Sequence, residues 1–462
     1  MGKIPGWYRG LRGDGPLVPI GLAIGGTLAL ALAIAAAVTV IGLNLLHFRG
    51  FKPEPLLSAG TLYDLLKVAF AVSAGIGGVI ALVTAYRRQR FTELAHDLAA
   101  RSELREASRL FSERFATAAG QLGDDRPAAV RLAGVYAMAG LADDWPAQRQ
   151  TCVDVLCAYL RMPYEPDPGG EAPAGARQAF RALREVRHTV IRVITAHLQA
   201  DDRRAATAQD WRGLRLDFTD AVFDGGTFAG AEFCGGLVSF TGAEFCGGTV
   251  DFGRARFSGG AVRFDLAKFS GGTVRFDRAE FSGGAVSFIH AEFSGAAVSF
   301  DRAEFSGGAV SFIYAEFSGG AVSFDRAEFS DCTVSFDLAK FSSGAVGFTG
   351  AKFSGGEVRF DLAKFSGGTV SFILAKFSGG EVNFGRAQIS GGDVSFYRAQ
   401  FSGGTVSFSR TKFSGGIADF GDAKFIGGTV DFGRAADWSV PPHLPPWGEP
   451  PPPGVTLPKE QD

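Results

Sequence analysis

Residues that commonly carry chemistry are scarce in this sequence. It has 6 His, 3 Met and 5 Cys among 462 residues. The cysteines form no CxxC pair and their number is odd, which is the usage of a reducing compartment. They are Cys152, Cys157, Cys234, Cys246 and Cys332. The sequence therefore does not predict a secreted scaffold held together by disulfides.

Catalytic and metal-binding motifs are also missing. His96, His188 and His197 are not spaced as ligands on one helical face. His290 is the one histidine in the long repeat region. The serines of that region, such as Ser306, recur without a base beside them and so do not indicate a nucleophile. We predict no catalytic site, no metal site and no cofactor, and hence a protein that is not an enzyme.

The overall charge is close to zero, with 46 basic and 48 acidic residues. A protein that binds a nucleic-acid backbone usually carries a strong positive excess. The composition therefore argues against a nucleic-acid partner.

Two long runs near the N-terminus contain no charged residue. The first, 17–46, and the second, 68–86, are both long enough to cross a bilayer, and Arg87 begins a basic cluster directly after the second. We predict two transmembrane helices joined by a loop at 47–67, with 1–16 in the cytoplasm. The basic cluster and the unpaired cysteines favour a multi-pass membrane protein with most of its chain in the cytoplasm. The alternative is a pair of buried helices in a soluble protein.

We predict a small α-helical domain at residues 87–210. Apolar residues recur there at helical spacing, and segments rich in Pro or Gly near 123–127 and 162–175 interrupt them.

Phenylalanine recurs with a strict spacing from Phe218 onwards. The first four, to Phe233, lie five residues apart, and the spacing then alternates between seven and five as far as Phe432, with Ile389 as the one aliphatic substitute. Each twelve-residue unit, as in AEFSGGAVSFDR, holds two five-residue motifs and two inserted residues that usually include Gly. If two units close one coil, the repeats form about nine coils stacked about 4.8 Å apart.

Stacked coils place equivalent side chains above one another in ladders. We predict that the phenylalanines form a continuous dry core. A representative part of this core ladder is Phe300, Phe305, Phe312, Phe317, Phe324, Phe329, Phe336 and Phe341.

The motifs A-x-F-x-x and V-x-F-x-x resemble those of pentapeptide repeat proteins. The resemblance covers about 216–434 and implies a mainly β fold, a right-handed quadrilateral β-solenoid, here with two-residue insertions at corners and spanning 211–436. It also implies that Phe324 and Phe329 point inwards together with Val322 and Ala327. The segments from Arg114 to Gly123 and from Arg131 to Ala137 resemble the helical region ahead of such repeats in actinobacterial membrane proteins.

The C-terminal tail, 437–462, contains PPHLPPWGEPPPP and is too rich in proline for a helix or a sheet. We predict an extended or disordered segment, in which Trp438 helps to close the last coil. The tail is either a ligand for an aromatic groove or a solubilising segment.

One outward position of the repeats changes the sign of its charge along the chain. The candidate docking ladder at this position is Glu292, Glu304, Glu316, Glu328, Lys340, Lys352, Lys364 and Lys376. Residues 217–337 hold 17 acidic and 8 basic residues, whereas 338–434 hold 7 and 11. We predict a membrane-anchored scaffold that docks an unknown protein partner, although these charges have an alternative role in keeping the rod soluble.

Two other functions stay open at this point. Some pentapeptide repeat proteins resemble a DNA duplex and inhibit DNA gyrase, but a duplex mimic should be acidic along its whole length. A glycan-active β-helix enzyme would gather unlike charged residues in a cleft, which regular outward columns do not predict.

Overall fold

A computed structural model describes residues 20–45, 59–123, 126–165, 167–199, 209–447 and 450–459. The chain divides into two compact units, Met1–Arg109 and Leu110–Asp462. The predicted cytoplasmic segment 1–16 and most of the predicted loop 47–67 lie outside the described residues.

Helix α1 spans Ile20–Leu45 and helix α2 spans Ala59–Gln121. Among the described residues, one helix, Leu62–Gln121, is long and apolar enough to cross a membrane. Helix α2 continues through the predicted boundary at Arg87, because the residues that follow are mostly good helix formers without Gly or Pro before Gly120. Of the two predicted spans, the described residues support one as a candidate.

Three further helices precede the repeats, namely α3 (Ala128–Asp144), α4 (Arg149–Arg161) and α5 (Ala174–Leu198), with a short 3-10 turn at Pro146–Gln148. Their apolar faces form a small core, which continues into the first coil of the repeats. Its fully buried side chains include Val135, Met138, Leu156, Leu160, Val190 and Ile194.

The repeats form a β-solenoid of about 10 turns after this helical region. The first strands are short: β1 (Leu216–Asp217), β2 (Val222–Phe223), β3 (Gly226–Thr227), β4 (Glu232–Cys234), β5 (Leu237–Ser239), β6 (Glu244–Phe245), β7 (Thr249–Asp251), β8 (Arg256–Ser258), β9 (Ala261–Arg263), β10 (Lys268–Phe269), β11 (Thr273–Arg275), β12 (Glu280–Ser282) and β13 (Ala285–Ser287). The series continues with β14 (Glu292–Phe293), β15 (Ala297–Ser299), β16 (Glu304–Ser306), β17 (Ala309–Ser311), β18 (Glu316–Phe317), β19 (Ala321–Ser323), β20 (Glu328–Ser330), β21 (Thr333–Ser335), β22 (Lys340–Phe341), β23 (Ala345–Gly347), β24 (Lys352–Phe353) and β25 (Glu357–Arg359). Longer strands follow: β26 (Lys364–Ser371), β27 (Lys376–Asn383), β28 (Gln388–Ser395), β29 (Gln400–Ser407), β30 (Lys412–Asp419) and β31 (Lys424–Asp431), before the short β32 (Val455–Thr456).

Equivalent strands of successive coils pair in parallel, and from the second coil onwards the partners lie 24 residues apart. Phe269 pairs with Phe293, for example. The first coil is shorter, since Leu216 pairs with Val238. It lacks the two-residue insertion between Phe223 and Phe228. Two twelve-residue units therefore close one coil, and the strands form two parallel sheets.

Four columns of stacked rings fill the solenoid. The columns begin at Phe218, Phe223, Phe228 and Phe233. The eight residues of the predicted core ladder fall two in each column, and each is at most 1% exposed. The pairs Phe300 and Phe324, Phe305 and Phe329, Phe312 and Phe336, and Phe317 and Phe341 stack with ring centroids 4.7, 4.8, 4.7 and 4.8 Å apart.

The inserted glycines are accommodated as bulges. Strand β26 runs through Gly367 and Gly368, and its register against β28 shifts there. Gly368 has a φ of +70°, and a Cβ at this position would lie 2.5 Å from the carbonyl oxygen of Gly344 in the previous coil. In the earlier coils the inserted glycines separate two short strands, such as β18 and β19, whereas from Lys364 onwards they form a bulge within one strand. A glycine with positive φ accommodates the extra residues in both cases.

The described part of the proline-rich tail is extended and packs on the last coil. Val455 pairs with Val430 in β31, while Trp438 meets the ring of Phe413 edge-on at 5.3 Å. These contacts cover the final rings of the core, as repeat proteins require at their ends.

Candidate interaction surfaces

Most tight turns of the solenoid have a third residue that adopts positive φ without being glycine, the exceptions with positive φ being Gly230, Gly242 and Gly350. In the turn from Phe300 to Ala303, the Ala303 N–H donates to the Phe300 carbonyl at 3.0 Å, and Arg302 has a φ of 56°. The signs of φ match those of a type II turn, which normally places Gly or Asn at this position. The third residue points outwards, so two columns of turn residues form edges along the rod.

The first edge is apolar in the middle of the rod. We call its central residues the apolar edge: Leu266, His290, Tyr314, Leu338 and Leu362. Leu266 is 56% exposed and Tyr314 is 43% exposed. The His290 and Tyr314 rings stack 4.8 Å apart with only 6° between their planes. An exposed ladder of this kind is unusual on a soluble surface and marks a candidate contact site.

The second edge carries four arginines in successive coils, which we call the arginine edge: Arg254, Arg278, Arg302 and Arg326. Together with Asp277, Asp301 and Asp325 they line an open groove of about 700 Å³. Two of these carboxylates accept hydrogen bonds from the next coil, since the Ser299 hydroxyl donates to Asp277 and the Ser323 hydroxyl to Asp301. No ion pair is recorded for the four arginines within the described residues.

The eight residues of the predicted docking ladder are divided between the two sheets. Ladder 1 lies beside the apolar edge and consists of Glu292, Glu316, Lys340 and Lys364. Ladder 2 lies beside the arginine edge and consists of Glu304, Glu328, Lys352 and Lys376. The structure therefore brings together residues that are 24 apart, and it separates sequence neighbours such as Glu292 and Glu304.

Both ladders change the sign of their charge at the same height along the rod. There the Lys340 Nζ lies 2.5 Å from a Glu316 carboxylate oxygen, and the Lys352 Nζ lies 2.6 Å from Glu328. Within the described residues, Glu292 and Lys364 of ladder 1 form no ion pair along their own chain. Each ladder thus ends in charges that are available to a partner.

A polar cluster joins the helical region to the first coil. Asp224 accepts hydrogen bonds from the Tyr164 hydroxyl at 2.7 Å and from the Arg184 Nε at 2.9 Å, and it contacts the His188 Nε2 at 3.0 Å. The buried Arg187 donates to the carbonyl of Val222 at 2.7 Å. These bonds hold helix α5 against the solenoid.

The environment of Asp224 favours its ionised form. Burial on its own would raise the pKa of this carboxyl, but the hydrogen bonds from His188 and Tyr164 and the nearby Arg184 lower the pKa to about 2. Burial and the bond to Asp224 raise the pKa of Tyr164 above its usual value. Asp224 is consequently a fixed anion that binds three donors.

The same cluster borders a cleft of about 400 Å³ beside Phe180 and Cys246. Burial raises the pKa of the Cys246 thiol, which therefore stays protonated near neutral pH and is a poor nucleophile. Burial also raises the pKa of Cys152 and Cys332 to about 11. This chemistry suits a structural junction better than a reaction centre.

A second junction uses an aromatic pair. The His197 ring stacks on Trp211 with centroids 4.0 Å apart, and Asp143 accepts from the Trp211 Nε1 at 2.9 Å and contacts the His197 Nε2 at 3.2 Å. Within the described chain, no group of three or more His, Cys, Asp or Glu side chains is arranged to hold a metal ion.

The sequence interpretation missed the edge columns and the Asp224 cluster. The edge residues are Arg, Leu, His and Tyr, whose types do not indicate positive φ. The sequence does contain one signal for the edge columns. Each edge residue follows Phe and one further residue and generally precedes a buried Ala, and this pattern fits a turn. No comparable signal exists for Asp224, whose partner Tyr164 lies 60 residues earlier.

The repeated spacing of phenylalanine within a solenoid fits a pentapeptide repeat. Comparison of the chain with protein-family models, with curated proteins and with solved structures finds no match.

Proposed function

We propose that the protein is a membrane-anchored scaffold that uses its solenoid as a docking surface for protein partners and catalyses no reaction. The observation that carries this proposal is the pair of charged ladders, each of which changes from Glu to Lys at mid-rod beside a distinct edge. A regular surface with a built-in direction suits the recognition of an extended or repetitive partner.

The anchor in this proposal is a hairpin of two transmembrane helices at 17–46 and 68–86, with most of the chain in the cytoplasm. The apolar helix Leu62–Gln121 and the helical conformation of Ile20–Leu45 support it. We also propose that the coil is the right-handed, quadrilateral solenoid of pentapeptide repeat proteins, related to actinobacterial members that carry a helical region before the repeats. The four columns of phenylalanine support this finer assignment.

The charge pattern favours a protein partner over mimicry of DNA. The arginine edge runs along the acidic half of the rod, and Lys residues occupy both ladders in the other half. A polyanion mimic would be interrupted by these cations over most of its length.

Proximity labelling in the native host tests the proposal. The label is fused at the C-terminus of the full chain, and the variant Glu304→Lys/Glu328→Lys is compared with the wild type and with a matched exchange on ladder 1, Glu292→Lys/Glu316→Lys. We expect a defined set of neighbours that decreases at least tenfold in one of these variants at equal protein level. The same neighbours with a membrane-anchored label that lacks the solenoid would refute docking, and recovery of gyrase subunits would favour the DNA-mimic alternative.

A further inference from the structure

We propose that the side of the rod formed by ladder 1 and the apolar edge binds the same side of a second copy of this chain, with the two rods antiparallel. This inference does not depend on the scaffold function, since a chain that pairs with itself needs no other partner.

Ladder 1 is self-complementary under a twofold axis. An axis through the middle of the rod, perpendicular to its length, places Glu316 opposite Lys340 of the second copy and Glu292 opposite Lys364. The rungs coincide along the whole ladder because both copies share one spacing between coils. A twofold interface of this kind uses the same patch on both subunits.

The outer rungs continue the match. In the same alignment Glu244 faces Lys412, and Lys268 faces the neutral Gln388. A shift of one coil would instead place Glu316 opposite Glu316 of the second copy. Like charges in direct opposition are unfavourable, so the ladder specifies one register.

Four of the five residues of the apolar edge obey the same symmetry. The twofold axis sets Tyr314 against Leu338 of the second copy and His290 against Leu362. Beyond them, Leu266 and Gly242 face Arg386 and Arg410, which add no match, and Asp220 at the start of the edge faces Arg434 at its end. Burial of exposed aromatic and aliphatic side chains supplies the attraction that exposed ion pairs provide only weakly. Tyr314, at the centre of the patch, is the expected anchor residue.

On the opposite side of the rod, the four central rungs of ladder 2 match in the same way, with Glu328 opposite Lys352 and Glu304 opposite Lys376, but an outer rung and the turn column carry like charges in opposition. There the same twofold operation places Arg256 opposite Lys424 of the second copy and Arg278 opposite Arg398. Each of these contacts between like charges occurs twice in a symmetric dimer. Its turn column carries arginines where the first edge carries apolar residues. The choice between the two sides therefore rests on the turn columns and the outer rungs, and ladder 2 serves as the control within the same molecule.

Charge exchange tests the pairing on the full chain, purified in one detergent and measured by native mass spectrometry and sedimentation at low salt. We expect the wild type to be dimeric, and we expect E292K/E316K and K340E/K364E each to raise the dissociation constant at least tenfold. A mixture of these two variants should form a heterodimer, since one ladder is then wholly Lys and the other wholly Glu. The fourfold exchange E292K/E316K/K340E/K364E should restore the homodimer.

The control E304K/E328K on ladder 2 should leave the dimer intact, while Tyr314→Ser should weaken it at least tenfold with unchanged circular dichroism. Addition of salt should weaken the wild-type dimer and spare the fold. A wild-type chain that stays monomeric at tens of micromolar overturns the inference. So does a dimer that the ladder 1 variants leave unchanged, or one that the ladder 2 control dissociates equally.

Discussion

The His188 Nε2 in helix α5 lies 3.0 Å from the Oδ1 of Asp224 in the first coil of the solenoid. Asp224 also binds Tyr164 and Arg184, so that one carboxylate ties helix α5 and the segment after α4 to the repeats. This arrangement lets a helical region act as the cover of the first coil, where a solenoid would otherwise expose its core.

Removal of the Asp224 charge should loosen this cover. Asp224→Asn leaves Arg184 partly buried without its counterion, and we expect the free energy of unfolding to fall by about 2–4 kcal/mol. Denaturant unfolding of the full chain measures the loss. Glu381→Gln, at an exposed position of β27, is the control and should change stability by less than about 0.5 kcal/mol. Equal stability of the two variants would show that the cluster does not hold the junction.

The stability of the junction should depend on acidity through the same group. The pKa of Asp224 in the folded protein, about 2, is below its ordinary value of 3.8, so this contribution is complete above about pH 5 and is lost as the pH falls from about 4 towards 2. The size of the shift corresponds to roughly 2 kcal/mol. The difference in unfolding free energy between the wild type and Asp224→Asn should therefore shrink over this window. A difference that is constant between pH 5 and pH 2 would contradict the assignment.

Ile389 interrupts one column of rings between Phe365 and Phe413. The variant Ile389→Phe should complete the column and stabilise the protein by about 0.5–1.5 kcal/mol, because aromatic pairs contribute beyond their buried area. The reciprocal change Phe365→Ile should destabilise it. Thermal and denaturant unfolding measure both variants, and a loss of stability in Ile389→Phe would indicate overpacking of this rung.

Arg302 adopts positive φ at the arginine edge, and its backbone N–H donates to the Asp325 carbonyl of the next coil at 2.9 Å. A β-branched residue is strained in this conformation, so Arg302→Val should cost about 1–2 kcal/mol. Arg302→Asn removes the same charge but suits a left-handed conformation, and it should be close to neutral. If both variants lose the same stability in urea, the guanidinium and not the backbone conformation is responsible.

The core of the solenoid was predictable because one requirement repeats. A single coil determines which positions lie inside. Because about ten coils repeat it, the stacking of Phe300 on Phe324 could be predicted as readily as that of any other pair. The division of the docking ladder was harder to see, since Glu292 and Glu304 look equivalent in a twelve-residue alignment although the coil is 24 residues long. The partners of Asp224 depend on tertiary contacts that no local pattern encodes, whereas the turn that contains Arg302 has its own pattern in every repeat.

The offset of 24 residues between equivalent strands, which is constant from the second coil onwards, makes the rod a ruler with discrete divisions. Removal or duplication of one 24-residue block changes the length by one step, about 4.8 Å, and keeps every column aligned. A block of twelve residues would instead exchange the two sides and bring the apolar edge onto the arginine edge. Unequal recombination between such similar units can therefore tune the reach of the protein only in whole coils, and any such change moves the twofold centre of ladder 1 along the rod.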